Sequence, residues 1–370
     1  MVDTKTQYLN IKTEIDSAIQ EVLDSAAYIN GKPVHQFAEA LSAYIGCKHT
    51  ITCGNGTDAL QIAMMALGLQ PGDEVITPSF TYIATTEVVA LLRLKPVFAE
   101  VDPKTFCIDP ESVRKLITPK TKAIVPVHLY GHAAPMEEIM QIAKEHNLFV
   151  IEDNAQAIGS TYTFSDGTQK KTGSIGHIGC TSFYPSKNLG AYGDGGAIFT
   201  NDSSLAETLK MTANHGQNKR YYHDIVGCNS RLDSIQAAIL NIKLKKLDEY
   251  NAARQAVAAS YNKAFSVNEN IITPFVAPFS NHVYHQYTLK VDNEKRDGLV
   301  QYLSEKNIPS MIYYPVPGHR QKVFQGMSSD VTNLEITDWL TDRVVSLPIH
   351  TEFETEQLEY ISKEVLNFLD

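Results

Sequence analysis

The sequence predicts an α/β protein, a mostly parallel sheet flanked by helices, with a smaller α+β C-terminal domain. Three observations predict it. Short apolar runs alternate with helical segments between about residues 33 and 201, the pattern of strands joined by crossover helices. The 370 residues exceed what one core usually organises, so two domains are expected. After Ile271 the alternation gives way to isolated strands and helices, which places a larger domain at 1–249 and a smaller one at 250–370.

The elements follow in order. Ile11, Ile15, Ile19, Val22 and Leu23 recur at helical spacing, predicting one amphipathic helix over about 7–27. Asn30, Gly31, Lys32 and Pro33 make a turn. Apolar runs at 74–77, 96–101, 123–127 and 149–152 read as buried parallel strands. Helices are predicted between them at 57–67, 85–92, 110–117 and 136–146. Asp109 and Pro110 mark the third of these, because Asp caps a first turn and Pro suits the first helical position. Residues 162–171, with Asp166–Gly167 at their centre, predict a hairpin. Residues 203–213 and a long stretch from about 232 to 265 are helical in pattern.

Composition excludes several classes. The formal charge of −10 argues against a nucleic-acid partner, which would need a basic surface. Five cysteines, an odd number with no CxxC spacing, make a disulfide framework or a zinc site poor readings. The polar N-terminus lacks a signal region, and no apolar run spans a bilayer. A cytoplasmic protein without metal is expected.

Four segments carry candidate chemistry. Lys187 lies in the Gly-rich stretch TSFYPSKNLG, after an apolar strand and before GDGGA. A lysine so placed can be desolvated, which frees its amine for a Schiff base. Asp153 ends the apolar run LFVIED, at a strand end where open parallel sheets bind ligands. There its charge could keep a pyridinium nitrogen protonated, and Gln156 could reach a ring hydroxyl. In CGNGTDAL a Gly-rich turn opens a helix, so the N–H groups of Gly56, Thr57 and Asp58 could bind phosphate. Tyr82, in TPSFTYIAT, could stack on a flat ring. Alone, each has a plainer reading: a loop lysine, a helix cap, a common turn, a core aromatic. Neither a P-loop nor a GxGxxG fingerprint after a strand is present.

Together these segments resemble the DegT/DnrJ/EryC1/StrS sugar aminotransferases, a branch of the fold-type-I pyridoxal-phosphate (PLP) enzymes. GTDAL, TPSFTYIAT, PVHLYGH, EDNAQA, SFYPSKNLG, GDGGAIFT, NHG, GCNSRLD and YYPVP occur in the family's order from about Tyr28 to the last helix. The resemblance implies that Lys187 is the Schiff-base lysine and Asp153 the pyridinium partner. It implies that Gln156 sits near the ring hydroxyl and that Tyr82 stacks on the ring. Gly56, Thr57 and Ser182 would hold the phosphate, joined by Asn229 from the neighbouring subunit of a homodimer with a shared site. Arg231, Tyr313, Tyr314 and His319 would line the sugar-nucleotide pocket, with Arg231 and His319 as local positive charge. Within the family the segments resemble the branch acting on UDP-2-acetamido-2-deoxy-3-oxo-glucuronate. L-Glutamate would be the amino donor, 2-oxoglutarate its product, and the 3-amino sugar would serve a surface polysaccharide.

The alternatives are a C3- or C4-aminotransferase of another UDP- or dTDP-keto-sugar, and a non-catalytic PLP or sugar-nucleotide binding protein. PLP-dependent sugar dehydratases of this kind carry His where Lys187 stands. The chain departs from the family at Asn154, Ile158 and Tyr313 and in a longer hairpin at 162–171; none of these removes a cofactor contact, but Tyr313 and the hairpin leave the substrate open.

Overall fold

The computed structural model describes residues 1–327 and 334–369. Helices α1 (Thr4–Asn10), α2 (Lys12–Ser25) and α3 (Lys32–Ile45) come first. The chain then alternates through β1 (His49–Cys53), α4 (Gly56–Ala66), β2 (Glu74–Pro78), α5 (Ala84–Leu91) and β3 (Lys95–Ala99). It continues with α6 (Pro110–Leu116), β4 (Thr121–Ile124), α7 (Met136–His146) and β5 (Phe149–Asp153). The hairpin β6 (Thr161–Thr163) and β7 (Gln169–Lys171) precedes β8 (Ile178–Ser182), β9 (Gly196–Thr200) and α8 (Ser203–Ala213). A second hairpin, β10 (Gln217–Lys219) and β11 (Tyr222–His223), leads to α9 (Ser234–Leu244) and α10 (Leu247–Phe265). The last part carries β12 (Ser280–Asn281), β13 (Tyr287–Lys290), α11 (Asn293–Glu305), α12 (Glu335–Thr341), β14 (Val344–Leu347) and α13 (Thr355–Leu369).

Seven strands form the central sheet in the order β1-β9-β8-β5-β4-β2-β3. The neighbours from β8 to β3 are parallel, while β9 runs antiparallel to both β1 and β8. Adjacent strand residues face opposite sides. Ile76, Ile124 and Val150 enter a core with Val113 of α6 and Ile139 of α7. Val75, Ala123 and Ile151 enter the other, with Leu60 of α4, Val88 of α5 and Leu209 of α8. Both faces are covered, so the strands read as continuous apolar runs. A separate core lies between the antiparallel pair β13–β14 and helices α10, α11 and α13, around Val257, Leu289, Leu303, Leu347 and Val365. Tyr250, the expected start of the smaller domain, falls inside α10.

Three expectations differ in detail. The helix over 7–27 is two helices, because Ile11 leaves helical geometry and packs with Ile15 and Ile239. Burying an isoleucine contributes about 2 kcal/mol, which offsets the loss of a helical hydrogen bond. The helical stretch 232–265 breaks between α9 and α10, where no glycine or proline marks it. The strand over 123–127 stops at Ile124, since Pro126 has no N–H for the ladder; Val127 keeps an isolated bridge to Asp153.

The hairpin at 162–171 forms and extends into a three-stranded sheet with β12. Its return to β8 is fixed by Glu152, which is fully buried. Its Oε1 accepts from the N–H groups of Ile175 (2.7 Å) and Gly176 (2.6 Å). Its Oε2 accepts from Gly173 N–H (2.7 Å) and His128 Nε2 (2.8 Å). His128 Nδ1 accepts from Ala134 N–H at 3.0 Å, so the imidazole proton sits on Nε2. Among the described residues no helix is long and apolar enough to cross a membrane.

Glu152→Ala would leave three backbone donors and His128 Nε2 without acceptors. Urea unfolding of the cofactor-free protein should show a loss of roughly 3 kcal/mol or more. A loss below about 1 kcal/mol would mean that water replaces the carboxylate.

Candidate active site

The C-terminal ends of β2 and β5, the start of α4 and the loop after β8 converge at one edge of the sheet. Asp153 closes β5 and is buried. Its N–H donates to Pro126 O (2.9 Å) and its carbonyl accepts from His128 N–H (3.0 Å), fixing the backbone. Its Oδ2 accepts from Thr85 Oγ1 at 2.8 Å and its Oδ1 from Ala155 N–H at 3.1 Å. Tyr82 lies between β2 and α5, with its side chain 56% exposed. That leaves an aromatic face available for a flat ring.

Lys187 sits in the loop between β8 and β9, in a turn closed by its own N–H to Tyr184 O (2.8 Å). The loop is clamped from behind. Asn188 Nδ2 donates to Asn251 Oδ1 (2.7 Å) and Val283 O (2.9 Å), and Lys243 Nζ donates to Gly190 O. Gly190 has no room for a side chain, since a Cβ would stand 2.4 Å from Pro185 O. Lys187 is partly exposed as a residue, but its amine end is enclosed. Burial lowers the Lys187 ammonium from 10.5 to about 8, while the Asp153 carboxylate pulls the other way. A usable fraction of free amine therefore exists near neutral pH. Buried His285 feels the same ammonium: burial first, then the charge of Lys187, holds its imidazole well below the ordinary value.

The start of α4 meets the end of β8. Asn55 caps the helix by accepting from Asp58 N–H (2.8 Å). The N–H groups of Gly56 and Thr57 occupy the first turn, where no helical carbonyl reaches them. A Cβ on Gly56 would lie 2.6 Å from Ser182 Cβ, so glycine lets the Ser182 side chain close on the helix end. Two backbone donors, a hydroxyl and the helix dipole make an anion cradle.

Gln156 and the two tyrosines form another wall. Gln156 Oε1 accepts from Tyr130 N–H (2.8 Å), and its Nε2 donates to the Tyr314 hydroxyl oxygen (2.9 Å). Tyr314 packs near Phe80 and Tyr82, with ring centroids 6.1 and 6.2 Å apart. The Tyr130 hydroxyl donates to Tyr313 O. Next to Tyr82 and Tyr314 lies a cavity of about 170 Å³, lined also by Val316, Gln321 and Phe324.

The remaining sequence candidates lie elsewhere. His319 Nδ1 is 2.7 Å from Ser79 Oγ, and its Nε2 is 3.3 Å from Asp338. Burial lowers its imidazole below the ordinary value, so the expected positive charge at His319 is absent near neutral pH. Exposed Asn229 bridges to Asn214, and Arg231 Nη1 donates to Asn214 Oδ1 at 2.9 Å. Arg231 lines a second cleft with His35, Lys48 and His49. Among the described residues no hydrogen bond joins either one to Lys187 or Asp153. The sequence reading missed Thr85, Asn188, Asn251, Lys243 and His285. Position beside Tyr82 or Lys187 was a signal only for Thr85 and Asn188.

Similar proteins carry this arrangement to an identity. A UDP-2-acetamido-2-deoxy-3-oxo-D-glucuronate aminotransferase from Pseudomonas aeruginosa is 44% identical over 366 residues, covering 99% of each chain. A dTDP-3-amino-3,4,6-trideoxy-alpha-D-glucose transaminase from Streptomyces venezuelae is 40% identical over 356 residues, 96% of this chain and 92% of that one. The crystal structure of S. venezuelae DesV in complex with a ketimine intermediate superposes with a TM-score of 0.95 at 39% identity, covering 100% and 98% of the two chains. NtdA from Bacillus subtilis, solved with bound cofactor PMP, gives 0.90 at 32% identity over 97% and 82%.

Fold and site thus define a PLP-dependent aminotransferase. The chain belongs to the DegT/DnrJ/EryC1/StrS aminotransferase family, whose model matches residues 9–366, and it acts on sugar nucleotides. The residues present suit the cofactor: an amine for its aldehyde, a buried carboxylate for its ring nitrogen and the α4 cradle for its phosphate.

Burying the Lys187 ammonium also makes stability depend on pH. Between about pH 8 and pH 10.5 the unfolded chain binds a proton at this lysine that the folded chain does not, so stability rises with pH across that window. Lys187→Met should stabilise the cofactor-free protein at pH 7 by up to ~3 kcal/mol, and the gain should vanish above about pH 10.5. A pH-independent difference in urea midpoints would contradict a desolvated ammonium.

Proposed function

We propose that the chain transfers the amino group of L-glutamate to UDP-2-acetamido-2-deoxy-3-oxo-glucuronate, giving 2-oxoglutarate and a 3-amino sugar nucleotide for a surface polysaccharide. The observation that carries the transamination is Lys187, whose enclosed amine is lowered to about 8 by burial, with buried Asp153 opposing the shift. Support for the substrate is the full-length 44% identity to the P. aeruginosa aminotransferase. The S. venezuelae transaminase, named for a dTDP-sugar, favours a second reading: another UDP- or dTDP-keto-sugar aminated at C3 or C4. Five free cysteines support a reducing, cytoplasmic setting.

Lys187 would hold the cofactor aldehyde, Asp153 the ring nitrogen, Gln156 the ring hydroxyl and Tyr82 the ring face. Gly56, Thr57 and Ser182 would hold the phosphate, with Asn229 from the other subunit of a homodimer. When bound, PLP supplies the electron sink that acidifies the C–H bond beside the transferred nitrogen. Freed once the donor's amine has displaced it from the aldehyde, Lys187 Nζ would take the proton from the donor's α-carbon, and in the second half-reaction it would deliver one to the sugar carbon. A base titrating near 8 suits both directions at neutral pH. Asp153 stays in place throughout, fixed by Thr85 and Ala155. Tyr313, Tyr314 and His319 are assigned to the sugar-nucleotide side, His319 as a neutral group tied to Ser79.

An acidic protein must meet an anionic sugar nucleotide with local cations. Arg231 is the candidate. Its side chain lines a cleft with Lys48 and His49, and among the described residues only Nη1 is engaged, by Asn214, so donors of the guanidinium fork remain for a ligand reaching it across the dimer interface.

Purified protein should be yellow, bleach with L-glutamate, and recover its colour with the UDP-3-oxo-uronate. Mass spectrometry over a panel of UDP- and dTDP-keto-sugars should show the amino product with that substrate first. Initial-rate plots should be parallel; intersecting lines would sink the ping-pong scheme. Arg231→Ala should raise KM for the sugar nucleotide roughly tenfold, with KM for glutamate changed less than about twofold. Mixing inactive Lys187→Ala subunits with Asn229→Ala subunits should restore activity above that of either variant, because one site of each mixed dimer is intact. No restoration would argue against a shared site.

A further inference from the structure

We propose that Thr85 is a positioning residue for Asp153, its hydroxyl fixing the carboxylate in register with the aromatic face of Tyr82. The inference rests on the reading that Asp153 meets the cofactor's ring nitrogen. Thr85 Oγ1 lies 2.8 Å from Asp153 Oδ2, across 68 residues of sequence, and Thr85 is fully buried. An ionised carboxylate can only accept, so Thr85 spends its single proton on Asp153. Thr81 Oγ1, 3.4 Å from Thr85 Oγ1, is then the donor in that contact. The direction is set: Thr81 to Thr85 to Asp153.

Topology gives this bond its importance. Tyr82 and Thr85 share one turn after β2, closed by Thr85 N–H to Tyr82 O at 3.3 Å. Asp153 ends β5, and β4 separates β2 from β5 in the sheet. No ladder hydrogen bond therefore runs directly between the strand carrying the ring-face group and the strand carrying the ring-nitrogen group. The Thr85 hydroxyl spans that gap at the sheet edge. Ala155 N–H holds the other carboxylate oxygen at 3.1 Å, so the loss of Thr85 leaves the group fixed at one oxygen and free to turn.

The test uses holoenzyme and its visible absorption. The groups facing Lys187 electrostatically are Asp153 and His285, and both stay in place in Thr85→Val, which keeps shape and removes the donor. A turned carboxylate holds the ring proton less well, draws less electron density through the ring, and leaves the nitrogen joined to Lys187 more basic. Thr85→Val should weaken PLP binding roughly tenfold and raise the pH midpoint of the absorption band by about one unit. Thr85→Ser, which keeps the hydroxyl, should restore both to within about twofold and a few tenths of a unit. Wild-type values in Thr85→Val would overturn the proposal. So would Thr85→Ser values matching those of Thr85→Val, since the methyl group alone would then matter. Should Thr85→Val fail to fold, Thr85→Ala also removes the donor, and wild-type affinity and midpoint in that variant would overturn the proposal equally. Asp153→Asn tells the two roles apart. If it changes neither PLP affinity nor the midpoint, the underlying reading of Asp153 fails. If it changes both while Thr85→Val changes neither, only the role of Thr85 fails.

Discussion

A lysine amine kept out of water, within the electrostatic reach of a carboxylate, is the constraint around which this molecule is organised. Burial alone would push the Lys187 ammonium down further; Asp153 opposes it and leaves the group near 8. The balance needs both partners in fixed positions, because either effect falls off steeply with distance and exposure. The fold supplies that fixity from two sides.

From the sheet side, Asp153 inherits its place from β5, one of the inner strands. Neighbouring Glu152 points to the opposite face, where it gathers His128 and three backbone donors. The alternation of a strand thus lets one acid serve structure and the next serve the site. From the loop side, the segment carrying Lys187 makes few bonds of its own. Its position comes from α9 and α10, through Lys243 to Gly190 and Asn251 to Asn188. Lys243 is itself a buried amine lowered to about 8 by desolvation, so even the clamp is built from a group that water would otherwise hold.

The segment between α8 and α9 lies apart from Lys187 and leaves large side chains exposed. The hairpin β10–β11 exposes Tyr221 and Tyr222, and Val226 beyond it is exposed too. The segment ends at Asn229 and Arg231, which face Asn214 rather than Lys187. Arg231, the cation proposed for an anionic sugar nucleotide, therefore lies apart from Lys187 and Asp153 and lines a separate cleft.

Much of the architecture was legible because local rules and tertiary packing agree. Helix α7 and helix α8 fall where the apolar periodicity put them, and Asp109 caps α6 as its position before Pro110 implies. Lys187, Asp153, Gly56 and Tyr82 could be named because their segments are short, ordered and rich in glycine or apolar residues. Asn251 and Lys243 could not, since each acts on a residue 53 to 63 positions away and nothing local marks them; Thr85 had only its place near Tyr82, and its partner Asp153 is 68 positions away. The lowered proton affinity of His319 was not legible for the same reason: it comes from burial, which the carboxylate of Asp338 opposes without cancelling. The sequence by itself determined the order of strands and helices and the residue types available for chemistry, because backbone propensity and hydrophobic period are local. Only the tertiary structure decided which of those residues are desolvated, which are held and which face outward, because desolvation and hydrogen-bond geometry arise between segments that meet only once the chain has folded.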